Sequence, residues 1–108
     1  MLKKLEESNN LKERADKVIP HQTGTFSRAA GSFVKGVYPI YAQSAKGSKF
    51  FDVDGNEYLD YLCGLGPITL GYNYSKINDA IIKQLKKGIL FSLPSPEEVE
   101  LSELLSKT

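Results

Sequence analysis

The stretch from Phe51 to Tyr61 reads FDVDGNEYLDY and places four acidic residues around a single glycine. Closely spaced carboxylates of this kind could ligate calcium or work as a general acid and base. An EF-hand loop needs glycine in its sixth position and a bidentate glutamate in its twelfth. Counting from Asp52, however, Gly55 comes fourth and Cys63 comes twelfth. The spacing therefore does not fit a calcium loop of that type.

A catalytic pair of carboxylates is also weakly supported. Asp52 and Asp54 flank one residue, so on a strand their side chains point to the same face. No second group is placed to drive their pKa values apart, which acid–base catalysis by two carboxylates requires. We predict instead that the stretch is a hairpin with its turn at Asp54-Gly55, and that its acidic side chains are solvated.

The glycines of GLGPITLG, at positions 64, 66 and 71, do not form a dinucleotide-binding motif. Thr69 stands where the third glycine of G-x-G-x-x-G belongs, and the lysine of a P-loop is absent. Two interpretations stay open. The glycines supply positive φ angles and close backbone approach within a structural loop, or they let a substrate or a partner backbone come close.

Among the remaining polar residues, Arg28 is the best candidate for binding. It is one of two arginines in a lysine-rich chain and lies in a loop rich in Gly, Ser and Thr. A guanidinium group binds carboxylates in a bidentate way that lysine does not reproduce, although a plain surface arginine is the alternative. Cys63 has no acid–base partner nearby in sequence, and the lone His21 cannot build a zinc site.

Composition limits the classes of partner. The 108 residues suffice for one domain, and the 41% hydrophobic and 25% charged content is typical of a globular protein. A net charge of +1 predicts binding neither to nucleic acid nor to a membrane. The basic start of MLKKLEESNN is followed by glutamates instead of an apolar signal core, and Cys63 is alone, so we predict a cytoplasmic protein.

Periodicity predicts an α+β fold with a small antiparallel sheet. Helical spacing of Leu11, Ala15 and Val18 indicates an N-terminal helix that Pro20 ends and that Leu2 and Leu5 extend upstream. The predicted strands cover residues 38–43, 49–53 and 57–62, with turns at 45–48 and at Asp54-Gly55.

Two further helices follow the sheet. One begins at Ser75 and ends at Gly88, and the other opens with Ser95 as cap, Pro96 in the first position and Glu98 completing a capping box. The last helix is apolar at Leu101, Leu104 and Leu105 and again at Val99 on another side. A helix with apolar residues on more than one side requires neighbours on more than one side, so we expect the polypeptide to continue.

Taken together, the segments FVKGVYPIYAQSAKGSKFFDVDGNEYLDYLCGLGPITLGY and AIIKQLKKGILFSLPSPEEVELSELL resemble the N-terminal portion of class III pyridoxal-phosphate aminotransferases. The nearest branch is that of glutamate-1-semialdehyde 2,1-aminomutase. The resemblance implies the N-terminal segment of a fold-type I transferase. Its parts would be an N-terminal helix (1–20), a substrate loop (21–36), an antiparallel sheet (37–62), a Gly-rich loop (63–74) and helices leading to the large domain (75–108).

The resemblance also implies a site. In the aminomutases a loop places a serine and an arginine near the substrate carboxylate, and Thr25 and Arg28 occupy those positions in IPHQTGTFSR, while Leu65 stands in place of a substrate-packing tryptophan. The family's lysine for pyridoxal 5'-phosphate, its pyridine-binding aspartate and its phosphate loop would follow residue 108. We therefore expect residues 1–108 alone to be inactive, with no catalytic, cofactor-binding or metal-binding residue among them.

Three departures from the aminomutase pattern favour a related aminotransferase. These are Leu65, the pair His21-Gln22 in place of two glycines, and GYNYS in place of GHxHP. The expected function is transamination of an amino-acid-derived aldehyde or a keto-sugar by a homodimer that binds an amino donor and a carbonyl acceptor. The alternative is a non-catalytic interaction module derived from such an enzyme.

Overall fold

The computed structural model describes residues 3–108, which form two compact units, one extending to Tyr74 and one running from Ser75 to Thr108. The first contains a helix, a three-stranded antiparallel sheet and several short 3-10 turns, and the second contains two helices. In chain order the helices and strands are α1 (Glu6–Asp16), β1 (Ala42–Lys46), β2 (Lys49–Asp52), β3 (Glu57–Leu59), α2 (Ser75–Leu85) and α3 (Pro96–Leu105). The predicted α+β class and the order of its elements are confirmed.

Helix α1 is shorter than the sequence predicted. It ends at Asp16, because Ile19, which precedes a proline, is extended with φ −126° and ψ 116°. Leu5 is the residue before the first helical turn, and the predicted extension through Leu2 lies outside the described residues. Ala15 is buried as predicted, whereas Val18 lies beyond the helix and is 77% exposed.

Strand β1 lies farther along the chain than predicted. Its last residues, Ala45 and Lys46, pair with Phe50 and Lys49 across a turn of only two residues, Gly47 and Ser48. Gly47 adopts φ 58°, which costs glycine little, and the turn can therefore be this tight. The prediction that residues 45–48 all belong to the turn was wrong for this reason.

The second hairpin joins β2 to β3. Phe50 and Tyr58 are opposite each other, with their rings stacked at 5.1 Å between centroids. The predicted turn at Asp54-Gly55 is confirmed, with Gly55 at φ 81°. Strand β3 stops at Leu59, three residues earlier than predicted, because the Asp60 carboxylate binds the next backbone N–H groups and turns the chain.

The acidic residues of this hairpin are not all solvated, which corrects the prediction. Asp52 is only 1% exposed, and its Oδ1 accepts the backbone N–H groups of Asp54 at 3.0 Å and Asn56 at 2.8 Å. Its Oδ2 accepts the side-chain amide of Asn56 at 2.8 Å and the hydroxyl of Tyr58 at 2.9 Å. Burial, with the hydrogen bond to Asp52 second, raises the pKa of Tyr58 to about 12. A buried carboxylate is tolerated when donors fill its lone pairs in this way.

In the second unit the predicted start at Ser75 and the predicted capping box are confirmed, whereas α2 ends at Leu85, three residues before the predicted stop. Gly88, with φ 110°, follows α2 and donates its N–H to the carbonyl of Gln84 at 3.1 Å. Ser95 and Glu98 form the capping box of α3, with the Ser95 N–H donating to Glu98 Oε1 at 3.0 Å. None of the helices within residues 3–108 combines the length and apolarity that a membrane crossing requires. The apolar residues of α3 are each more than half exposed: Val99, Leu101, Leu104 and Leu105.

Candidate functional site

A cavity of about 1220 Å³ in the first unit brings the three predicted site residues together. Its walls come from α1, the segment between residues 22 and 45, and the loop that follows β3. Thr25 and Arg28 lie on one of these segments, and Leu65 lies on another. Residues distant in sequence thus face one open space large enough for a small-molecule substrate.

Thr25 and Arg28 are linked by the 3-10 turn Phe26–Arg28. Thr25 is extended before the turn, and its carbonyl accepts the backbone N–H of Arg28 at 3.1 Å. Its Oγ1 accepts the Nε–H of Arg28 at 2.7 Å. Within residues 3–108, Arg28 makes no ion pair with a carboxylate. The guanidinium is therefore oriented by Thr25 and keeps its terminal amino groups for a partner supplied from elsewhere, for which a bidentate carboxylate is the best match.

Leu65 is presented by a tight left-handed turn. Cys63, Gly64, Leu65 and Gly66 have φ angles of 49°, 62°, 68° and 113° in succession. A non-glycine residue in this region costs roughly 1–2 kcal/mol, so Cys63 and Leu65 need other contacts to hold them there. The side chain of Leu65 is 70% exposed and lines the cavity. Its position therefore depends on the backbone of the loop and little on its own packing.

Asp60 provides the contacts that hold this turn. Its Oδ1 accepts the backbone N–H groups of Leu62 at 2.8 Å and Cys63 at 3.3 Å, and its Oδ2 accepts the hydroxyl of Tyr72 at 2.6 Å. The hydrogen bond from Tyr72 is the main cause that holds the pKa of Asp60 below its usual value. The same bond, with burial second, raises the pKa of Tyr72 to about 12. We predicted a solvated carboxylate at Asp60, but an aspartate before a Gly-rich loop commonly forms a turn by accepting hydrogen bonds from the backbone that follows it.

The glycines of the loop after β3 have the structural role that the first interpretation gave them. Gly71 has φ 83°, and a Cβ there would lie 3.0 Å from the carbonyl oxygen of Gly47. This close approach allows Gly47 and Tyr72 to exchange backbone hydrogen bonds of 2.9 and 2.8 Å. Gly64 combines positive φ with a Cβ position 3.0 Å from Ile68 Cγ1. The second interpretation is compatible with this, because the loop still lines the cavity.

Two features of the segment between residues 21 and 38 were not predicted. Phe33 and Tyr38 both line the cavity and stack with centroids 4.0 Å apart and planes 3° from parallel. His21 and Gln22 have φ angles of 56° and 66°, which lie in the left-handed region that glycine adopts without steric cost. This explains physically why two glycines at those positions would suit the fold. In the sequence, the stacked pair is indicated only by two aromatic residues that stand on either side of Gly36.

The cavity walls do not offer a set of groups that would hold pyridoxal 5'-phosphate. Of the lysines lining the cavity, Lys12 pairs with Asp16 at 2.9 Å, and Lys35 is exposed, whereas a Schiff-base lysine needs a desolvated site. The one carboxylate in the lining, Asp60, is occupied by Tyr72 and backbone donors. Among the described residues there is also no group of three or more metal-ligating side chains placed to hold a metal ion.

Comparison with known proteins relates this arrangement to one family. The model of the family described as aminotransferase class-III matches residues 32–108. The chain is 46% identical over 91 residues to 3-aminobutyryl-CoA aminotransferase of Cloacimonas acidaminovorans, covering 83% of this chain and 22% of that protein. It is 40% identical over 95 residues to glutamate-1-semialdehyde 2,1-aminomutase of Clostridium novyi, covering 88% and 22%.

Solved structures support the same relationship. The FumI protein of Sphingopyxis sp. MTA144, whose structure is in the PLP internal aldimine form, superposes with a TM-score of 0.75 at 33% identity. The match covers 88% of this chain and 22% of that one. The chain therefore spans about a fifth of the length of the relatives that it matches.

Proposed function

Because the chain belongs to the class III aminotransferase family, we propose that it forms the substrate entrance of a pyridoxal-phosphate-dependent aminotransferase or aminomutase. The observation that carries the proposal is the meeting of Thr25, Arg28 and Leu65 in one cavity, with Arg28 oriented and without an acidic partner among residues 3–108. The parent enzyme would move an amino group between an amino donor and a carbonyl acceptor.

Each residue has a distinct role in this proposal. Arg28 binds the carboxylate of the substrate through its terminal amino groups, and Thr25 holds the guanidinium in the orientation that this requires. Leu65 supplies an apolar part of the wall of the same cavity. The cofactor, when bound, supplies the electron sink for amino-group transfer, and its lysine lies outside this chain. Residues 1–108 alone are accordingly proposed to be inactive.

The names of the relatives define two alternatives for the substrate. Glutamate-1-semialdehyde carries a free carboxylate, which Arg28 can bind. In 3-aminobutyryl-CoA the corresponding carboxyl is a thioester, and a keto-sugar likewise offers Arg28 no carboxylate. We favour the carboxylate-bearing, amino-acid-derived aldehyde, because the Thr25–Arg28 pair has the geometry for an anion and Leu65, smaller than a tryptophan, leaves room in the same cavity. We also propose that the parent enzyme is a homodimer and that it is located in the cytoplasm.

The decisive experiment replaces Arg28 by Ala in the full-length parent and follows amino-group transfer from glutamate-1-semialdehyde. Losing a charge-assisted hydrogen bond should raise KM by about 10- to 100-fold, while the absorption spectrum of the bound cofactor stays unchanged. Arg14→Ala, at the only other arginine, is the matched control, since Arg14 is exposed and does not line the cavity. If both variants behave as the wild type, Arg28 is not a carboxylate ligand.

A second candidate function follows from helix α3, whose four apolar residues are each more than half exposed. Such a surface suits a stand-alone interaction module that covers it with a partner. Expression of residues 1–108 alone distinguishes the two functions. A cooperative thermal transition with a defined oligomeric state favours the module, whereas a molten or aggregated state favours a segment of a longer enzyme.

A further inference from the structure

We propose that Asp60 and Tyr72 form a positioning pair that fixes Leu65 in the wall of the cavity and thereby selects substrates by size. The inference rests on the proposed function and extends it to the residues that set specificity. Neither residue is assigned to bind the substrate. Their role is to hold the loop that carries Leu65.

The fixed end of this arrangement is the hairpin turn between β1 and β2. Gly47, in that turn, donates its N–H to the Tyr72 carbonyl at 2.9 Å and accepts the Tyr72 N–H at 2.8 Å. The lack of a side chain at Gly71 allows the two backbones to approach this closely. The backbone of Tyr72 is thus tied to the sheet at both of its polar groups, and its ring projects from a fixed point.

The other end is the loop around Leu65. The 2.6 Å hydrogen bond from Tyr72 reaches Oδ2 of Asp60, and Oδ1 of Asp60 holds the N–H groups of Leu62 and Cys63. These amides immediately precede the run of positive φ angles that aims Leu65 at the cavity. A left-handed conformation at two non-glycine residues persists only when surrounding contacts impose it. The carboxylate of Asp60 therefore joins this loop to Tyr72, and the Asp60 N–H, which donates to the Ser48 carbonyl at 2.8 Å, anchors Asp60 to the same hairpin turn.

Tyr72→Phe removes the hydroxyl alone and is the first test, made in the full-length parent enzyme with its cofactor. Hydrogen exchange at the amides of residues 62–66 should accelerate by about tenfold, because the loop loses a charge-assisted bond. Tyr61→Phe is the matched control, since Tyr61 is adjacent to Asp60 but 86% exposed. Should Tyr72→Phe not fold, Asp60→Asn weakens the same bond. Unchanged exchange in the loop overturns the inference.

The second test measures selectivity by calorimetric titration with acetate, butanoate and hexanoate, which share a carboxylate and differ in length. In Tyr72→Phe the ratio of the Kd values for hexanoate and acetate should change by about fivefold, since a displaced apolar wall alters the fit of added methylenes. In a Leu65→Ala background the same substitution should change that ratio by less than about twofold, because the effect passes through Leu65.

The two tests separate the inference from the function on which it rests. If the wild-type enzyme binds none of the three carboxylates, the proposed role of Arg28 fails, while the exchange measurement still decides whether the pair holds the loop. If exchange accelerates but the Kd ratio changes equally with and without Leu65, the pair is a structural contact only, and the inference is overturned.

Discussion

The carboxylate of Asp54 accepts the backbone N–H of Glu7 at 2.7 Å and so caps a helix that lies 47 residues earlier in the chain. Its other oxygen accepts the N–H of Ser8 at 3.0 Å. The first N–H groups of a helix have no partner within it, and a negative charge there is favourable. The hairpin that carries Asp54 therefore fixes helix α1, one wall of the cavity.

Replacing Asp54 by Asn should destabilise the first turn of α1. The substitution removes the negative charge and one of the two acceptor oxygens, and loss of a helix cap costs about 1 kcal/mol. Amide exchange at Ser8 in the full-length parent should accelerate by about fivefold. Asp79→Asn, on the separate helix α2, is the matched control and should leave α1 unchanged. Equal exchange in both variants would contradict the capping role.

The bond between Thr25 and Arg28 predicts a graded effect on substrate binding. Thr25→Val keeps the shape of the side chain but removes the Oγ1 that accepts from Arg28 Nε, so the guanidinium loses its orientation. KM for the carboxylate-bearing substrate should rise by about 3- to 10-fold with little change in kcat. Thr25→Ser restores the hydroxyl and should restore KM. Failure of serine to rescue the enzyme would show that the methyl group matters instead.

Gly71 should tolerate no side chain. Gly71→Ala would place a Cβ about 3.0 Å from the Gly47 carbonyl at φ 83°, combining a steric clash with a strained backbone angle. The thermal midpoint should fall by several degrees, which corresponds to about 2 kcal/mol. Gly31→Ala is the control, because no atom lies within 4 Å of the new Cβ and its φ is not positive. Similar thermal midpoints for the two variants would show that the loop shifts to accommodate the added methyl group.

The bond between Asp60 and Tyr72 predicts a dependence of stability on pH at both extremes. The pKa of Tyr72 is raised from 10.0 to about 12, so its contribution is complete below pH 10 and is lost as pH rises through about 12. The pKa of Asp60 is lowered from 3.8, so its contribution is present above that value and is lost as the pH falls below it.

Thermal midpoints measured across pH test this dependence. Tyr72→Phe should flatten the decline on the alkaline side only in part, because the pKa of Tyr58 is also raised to about 12. It should also reduce the acid-side decline, since without the Tyr72 hydroxyl the pKa of Asp60 in the folded protein lies closer to its value in the unfolded chain. An unchanged profile in Tyr72→Phe would mean that this bond contributes nothing to stability.

The features that were predicted correctly depend on residues that lie close together in the sequence. The capping box of Ser95 and Glu98 and the turn at Asp54-Gly55 each involve residues that interact within a few positions. Such interactions depend on residue type and spacing, which the sequence contains in full. The resemblance to class III aminotransferases was likewise readable from an ordered series of residues, and the family match confirms it.

The features that were not predicted depend on pairing between distant segments. The tight turn at Gly47 set the position of β1, the packing of α1 on the hairpin turned Asp54 into a helix cap, and the approach of Gly71 to Gly47 brought Tyr72 to Asp60. Whether a carboxylate is solvated or buried follows from such pairings, because its donors come from other elements. The residues of the candidate site could therefore be named from their types and spacing, whereas their meeting at one cavity depends on contacts between segments that are distant in the chain.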